Sequence, residues 1–195
     1  KGKEKRIWLA AGYVIPAYNK GRLVKVKIRT LSGAPKYLQV YSAAASGAVS
    51  PCAVYGRPDA AVIVVEETER DGGLIWYACR GLDVAVVSLG SASRTPDVDT
   101  AAILRQAEII LLATDNDQAG ILAACAEPEE GKAWRGWLAE YPAAVLHPIP
   151  ALFGKDPGDA VAPLNLYTAA GFGDTGEFGP LDRFFLLCLR EAAAL

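Results

Sequence analysis

Hydrophobic and polar positions follow two different rhythms along this chain, and the change falls near residue 60. Up to that point the apolar residues come in short runs that are soon interrupted. "YVIPAY" and "RLVKVKIRT" flank Asn19-Lys20-Gly21, which predicts a β-hairpin. Strict alternation in "LVKVKIRT" places Lys25, Lys27 and Arg29 on one face of its second strand. "SGAPKYLQVY" predicts a turn and a further strand. The small, Pro- and Gly-punctuated "SAAASGAVSPCAVYGRPD" predicts a loop and a domain boundary.

From residue 60 the runs lengthen. "AAVIVVEE" is continuously apolar and rich in Val, as expected of a parallel strand covered on both faces. "ERDGGLIWYACRG" has helical spacing and ends on Gly81. "DVAVVSLG" (strand), "DVDTAAILRQA" (helix) and "EIILLATD" (strand) follow. "QAGILAACAE" and "AWRGWLAEYP" read as helix on either side of a charged "EPEEGK" break, and "AAVLHPIP" as a fourth strand. Strands alternating with helices at this spacing predict a doubly wound α/β fold. "AAGFGDTGEFG" then reads as an exposed loop before a C-terminal helix, "LDRFFLLCLREAAA". The expected division is a basic β-rich subdomain over 1–58, an α/β domain over 59–162, and a loop with a helix over 163–195.

Composition narrows the class. The 195 residues are 52% hydrophobic and 22% charged, enough to bury a sizeable core. No 18-residue apolar run and no signal-peptide pattern is present, so a soluble, cytoplasmic, monomeric protein with no membrane contact is expected. Met is absent throughout, which fits a piece of a longer polypeptide. Cys52, Cys79, Cys125 and Cys188 are scattered, form no C-x-x-C pair, and accompany a single His. They read as small buried residues of a reduced compartment and argue against zinc or a disulfide framework. The net charge of −2 hides an asymmetry, because residues 1–36 hold ten Lys or Arg against Glu4 alone, a balance of +9. The remainder, with 10 basic and 21 acidic residues, stands at −11. A basic arm beside an acidic body suits a polyanion binder with a metal site.

The acids fall where chemistry is expected. In a doubly wound sheet, ligands bind outside the carboxyl ends of the strands. The first strand of the α/β region ends on Glu66-Glu67, with Asp71 one helical turn past Glu67; the second ends on "SLGSAS"; the third ends on Asp115 and Asp117; and "GKDPGDA", with Lys155 and Asp156, follows the fourth. Carboxylates converging on one rim repel one another unless a cation sits between them. Oxygen donors without His or Cys select Mg²⁺ or Mn²⁺. A lone D-x-D is also a common helix cap, so the constellation matters more than the pair.

These residues carry a resemblance. An acid closing the first strand, a D-x-D closing the third and the βαβ frame around them resemble the Toprim module of DnaG-type primases, topoisomerases and some nucleases. "VVEETERDGGLIWYACRGLDVAVVSLGSAS" is similar to the primase pattern of Val-rich strand, Glu, Asp four residues on, helix and "SLG" strand end. "TDNDQAG" resembles the primase D-x-D-x-A-G, and "GKDPGDA" its "DP" segment; upstream, "PKYLQ" resembles the "PKYLN" of the basic subdomain. The likeness runs over about residues 13 to 162. It implies a Toprim (Rossmann-like) four-stranded, mostly parallel sheet with helices on both faces, and metal-dependent nucleotidyl transfer that builds RNA primers on single-stranded DNA from NTPs.

By the same resemblance, Asp115 and Asp117 hold Mg²⁺ (or Mn²⁺) on the triphosphate, with Asp71 and Asp156 as further acidic ligands. Glu67 binds metal or acts as general base or acid. The family's four-residue spacing selects Glu67 over Glu66 as the partner of Asp71, since residues four apart share a helical face. Lys36 matches a basic residue beside the nucleotide or template, or is a solvated lysine. Lys25, Lys27 and Arg29 are candidates for a phosphate track. Lys155 neutralises a phosphate or pairs with Asp156. Ser91 and Ser93 lie in a loop at the same rim, where turn formation explains them equally well. Trp76, Trp134 and Trp137 fall at helical spacing and are expected in packing rather than base stacking; Tyr37 stacks or packs, and His147 is structural. The family's upstream zinc module and downstream helicase-binding region have no counterpart in the sequence, nor does its second lysine past "PKYL". A replicative helicase is therefore a partner only through regions outside this sequence. A Toprim nuclease and a non-catalytic metal- and nucleic-acid-binding domain remain alternatives.

Overall fold

The computed structural model describes residues 10–31, 35–41, 51–79, 81–91, 94–115, 117–118, 120 and 136–146. Lys155, Asp156, His147, Ser93, Trp134, Cys125, Cys188 and the expected C-terminal helix lie outside the described residues.

Two sheets emerge, divided nearly where the hydrophobic rhythm changes. In the first, β1 (Gly12–Asn19) and β2 (Arg22–Thr30) form an antiparallel hairpin, and β3 (Tyr37–Tyr41) pairs with the other edge of β2. The hairpin closes on Lys20 and Gly21 at φ 49° and 70°, two left-handed residues whose twist matches the flanking strands. Register places Tyr13, Arg29 and Tyr37 opposite one another, then Ile15, Lys27 and Gln39, then Ala17 and Lys25. The alternation thus lines the three cations along one face of β2.

The second sheet has the order β4-β6-β5-β7-β8. Its parallel members are β5 (Val62–Glu66), β6 (Val84–Ser88), β7 (Ile109–Leu112) and β8 (Ala144–Leu146), while β4 (Ala53–Tyr55) runs antiparallel along β6. Among the described residues this sheet has five strands, where four were expected. The extra one is three residues long, too short for periodicity to register, and it covers the free edge of β6 by backbone pairing. It lies within the span read as loop. Asn19 Nδ2 also donates to the Cys52 carbonyl at 3.2 Å, so the first region is tied to the edge of the second sheet.

The apolar runs split between two cores, as alternation on a doubly covered sheet requires. Ile63 and Val65 of β5 pack with Ile110, Leu104 and Trp137, on the side of α2 (Val98–Leu104) and α3 (Trp137–Glu140). Val64 points the other way, toward Val86, Leu111 and Ile75 of α1 (Glu69–Ala78). Each such side chain, fully buried, contributes about 1.5–3 kcal/mol. Helices therefore cover both faces. Cys52 and Cys79 are buried, free thiols. Trp137 is buried as expected, but Trp76 is not: it turns outward from α1 with 43% of its surface exposed. No helix among the described residues is long and apolar enough to cross a membrane.

Strand order fixes where a ligand can enter. The chain passes from β5 to β6 on one side, then crosses back to β7 on the other. A crevice is therefore left between β5 and β7 at their carboxyl ends, the switch point where ligands of such sheets bind.

Candidate active site at the rim of the parallel sheet

Both walls of that crevice end in acids. Leaving β5, the Glu66 carbonyl accepts the Leu89 amide at 3.0 Å and the Glu67 carbonyl the Gly90 amide at 2.7 Å, which binds the exits of β5 and β6 together. The Glu67 side chain then reaches across: its Oε1 accepts the backbone N–H of Asp115 at 3.3 Å. Glu67 and Asp115 are 9% and 8% exposed, at the boundary between core and solvent. Asp117, two residues past Asp115, accepts the Gly120 amide at 3.0 Å and so caps the turn that follows β7.

Asp71 departs from the expected role of a waiting ligand. Its carboxylate accepts the Thr68 hydroxyl at 2.6 Å and pairs with the Arg70 guanidinium at 2.7 Å. Thr68 is the N-cap of α1 and accepts the Asp71 amide in return, so Asp71 helps to start the helix. An acid already neutralised by a neighbouring arginine is a poorer metal ligand than one without a cation.

Glu66 is the residue that spacing passed over. It is 0% exposed, and neither carboxylate oxygen has a hydrogen-bond partner. The Ser88 hydroxyl and the Thr68 amide lie beside it and favour its charged form. Burial pushes its carboxyl well above the usual carboxylate range, the charges of Asp71 and Asp115 push the same way, and Thr68 and Ser88 oppose them. Helix α1 crosses directly above at Gly72, where a Cβ would stand 2.0 Å from Ser88 Oγ and 3.3 Å from Glu66 Oε1. Only a glycine allows the helix this close.

The cations of β2 face α1, and two of them are already committed. Lys25 and Lys27 both form ion pairs with Glu69 in the first turn of α1, and Lys25 is 2% exposed. Burial pushes the Glu69 carboxyl up, but the two ammonium groups outweigh it and hold it below the usual range. Of the three cations expected along a phosphate track, Lys25 and Lys27 are paired with this internal carboxylate, and Arg29 lines a cavity. Arg29, Lys36 and Arg70 line one cavity of about 760 Å³ together with Tyr13. Lys36 Nζ lies 5.8 Å from the centre of the Tyr37 ring, a cation–π contact. Glu69 carried no signal in the sequence, because its partners come from a strand far away in the chain.

Among the described residues, no group of three His, Cys, Asp or Glu side chains is arranged to hold a metal ion by itself. Mg²⁺ is commonly held by one or two carboxylates and completed by substrate phosphates and water. The all-oxygen pair Glu67 and Asp115, partly open at the crevice, fits that manner of binding.

Comparison with known proteins adds the following. No family model matches the chain, and none of the curated proteins does. Among solved structures, the chain is similar to the primase fragment of the bacteriophage T7 primase-helicase protein, with 20% sequence identity and a TM-score of 0.46. The likeness covers 81% of this chain and 58% of that fragment, so the chain spans less than two thirds of its length.

Proposed function

We propose that this chain is a Toprim-type catalytic core that performs metal-dependent nucleotidyl transfer of the primase kind, joining NTPs on a single-stranded DNA template. The observation that carries the reading is the reach of Glu67 across the β5/β7 crevice to the Asp115 amide. It gathers acids from both walls at the switch point of a parallel sheet, where the motif resemblance expects them.

Nucleotidyl transfer develops negative charge on phosphoryl oxygens, so its catalysis is mostly positioning and electrostatics. Glu67, Asp115 and Asp117 are the residues that would hold Mg²⁺ or Mn²⁺, with Asp156 a further candidate by resemblance. When bound, the metal neutralises the triphosphate and the developing charge. Glu67, at the mouth of the crevice, would also accept a proton from an attacking hydroxyl. Arg29, Lys36 and Arg70 offer three cationic side chains to phosphates beside the acidic rim, and Arg70 belongs to both sides through its pair with Asp71. Nucleotide phosphates and a template backbone both suit that cavity.

The test is incubation of the chain with single-stranded DNA, NTPs and Mn²⁺, resolved by length. Extended RNA products are expected. Shortened DNA would reassign the site to a nuclease, and a mobility shift without products would leave only a binding module.

A further inference from the structure

The cationic cavity has a neighbour that the proposed chemistry does not use. Ile15 and Arg70 form a common wall between it and an apolar groove of about 560 Å³ on the outer side of α1. Tyr18 of β1 and Trp76 and Tyr77 of α1 line this groove. Their exposures are 44%, 43% and 62%, so three aromatic side chains stand open around a single depression. Trp76 leans on Tyr55 with ring centroids 6.5 Å apart and planes tilted by 30°, which fixes the indole without covering it. Large aromatics are normally withdrawn from water, and a cluster of exposed ones marks a surface that is covered in use.

We infer that this groove stacks the bases of single-stranded nucleic acid whose phosphates lie in the adjoining Arg29–Lys36–Arg70 cavity. The inference rests on the reading of the chain as a nucleic-acid enzyme and names the path of the strand away from the rim. Charge selects the occupant. Sequence-tolerant single-strand sites combine a positive channel for the backbone with aromatic platforms for the bases, and both halves meet here at Arg70. An apolar peptide would leave Arg29 and Lys36 without an added counter-charge, while Arg70 keeps its pair with Asp71. Trp76 thus takes a role that helical spacing alone assigned to packing.

The experiment compares binding of a fluorescent short oligothymidylate with that of an abasic strand of equal length, using the full chain. The wild-type chain is expected to prefer the strand with bases. Trp76→Ala should weaken oligothymidylate binding by about tenfold, leave the abasic strand unaffected, and keep the salt dependence unchanged. Lys36→Ala should weaken both strands alike and make the salt slope shallower by about 0.7. Trp76→Phe should restore most of the lost affinity, which separates stacking from a folding defect. An oligothymidylate affinity untouched by Trp76→Ala, or an equal loss on both strands, overturns the groove while leaving template extension free to stand. A preference for bases that persists without any nucleotide incorporation removes the proposed reaction and keeps the groove. If Trp76→Ala alters self-association alone, the surface is an interface between copies and the inference fails. Failure of the wild-type chain to bind either strand removes both.

Discussion

Glu66 and Glu69 are separated by two residues and both are withdrawn from water, yet the seam between the sheets and the rim of the parallel sheet treat them in opposite ways. At the seam, Glu69 meets Lys25 and Lys27, and its carboxyl is held below its ordinary range. At the rim, Glu66 has no cationic partner among the described residues, and its carboxyl is pushed well above that range by burial. The seam balances its charge from within and needs nothing further. The rim gathers Glu66, Glu67 and Asp115, and for the buried Glu66 the balance shifts toward the protonated carboxyl. An ion-paired carboxylate in the first turn of α1 and a buried one at the end of β5 can thus stand three residues apart, and the supply of counter-charge tells them apart.

The largest effect should come from breaking the seam. Glu69→Ala leaves Lys25 buried without its carboxylate and is expected to destabilise the fold by about 3–5 kcal/mol in denaturant unfolding. Replacing Lys25 and Lys27 by Met in the same chain should recover most of that loss. An unchanged midpoint in the single variant would place the lysines in solvent.

Next in size is the rim. Glu67→Gln, alone or with Asp115→Asn, should lower metal-dependent nucleotide incorporation by about 10²-fold or more. Its unfolding transition should stay in place, because neither carboxylate serves the core. A rate within a fewfold of wild type would remove Glu67 from the chemistry.

Acidity should separate the two carboxyls by sign. The folded chain keeps the Glu66 proton above the ordinary carboxyl range, where the unfolded chain has released it. The Glu66 contribution therefore falls as pH rises from near 4.5 toward the raised folded value, by about 1.4 kcal/mol per pH unit. Glu66→Gln should abolish that slope and gain over wild type as pH rises through this window. The Glu69 contribution is present above about 4.5 and is lost as pH falls through its lowered folded value. Unfolding free energies of Glu66→Gln and Glu69→Gln across this range should diverge from wild type in opposite directions, and parallel curves would refute the contrast.

The smallest effect calibrates the others. Lys20 and Asp99 pair at 2.7 Å with 60% and 58% of their side chains exposed, so Lys20→Ala should change stability by less than about 1 kcal/mol, and less still in salt.

Legibility in the sequence followed the range of the interaction. The Val-rich run of β5 and the helical spacing after it showed in the order of residues, because burial on two faces needs apolar side chains at every position. Alternation revealed that Lys25, Lys27 and Arg29 share a face, since that depends on the pleat alone. What faced them was hidden. Glu69 finds its lysines only when α1 packs on β2, and nothing local records that meeting. Strand β4 escaped because three residues cannot display a period, and Trp76 because helical spacing states which residues share a face but not which face is wet. The D-x-D position was legible, yet Asp117 also serves as a cap, and a carboxylate in a cap looks the same in sequence as one awaiting a ligand.

Gly72 bears on how this sequence can change over time. With a Cβ there only 2.0 Å from Ser88 Oγ, a gain of side chain at 72 requires the Ser88 hydroxyl to move or to be lost. The order of substitution therefore matters: Ser88→Ala opens the path that Gly72→Ala then takes. A library randomised at both positions together should yield more folded chains with a side chain at 72 than one randomised at 72 alone.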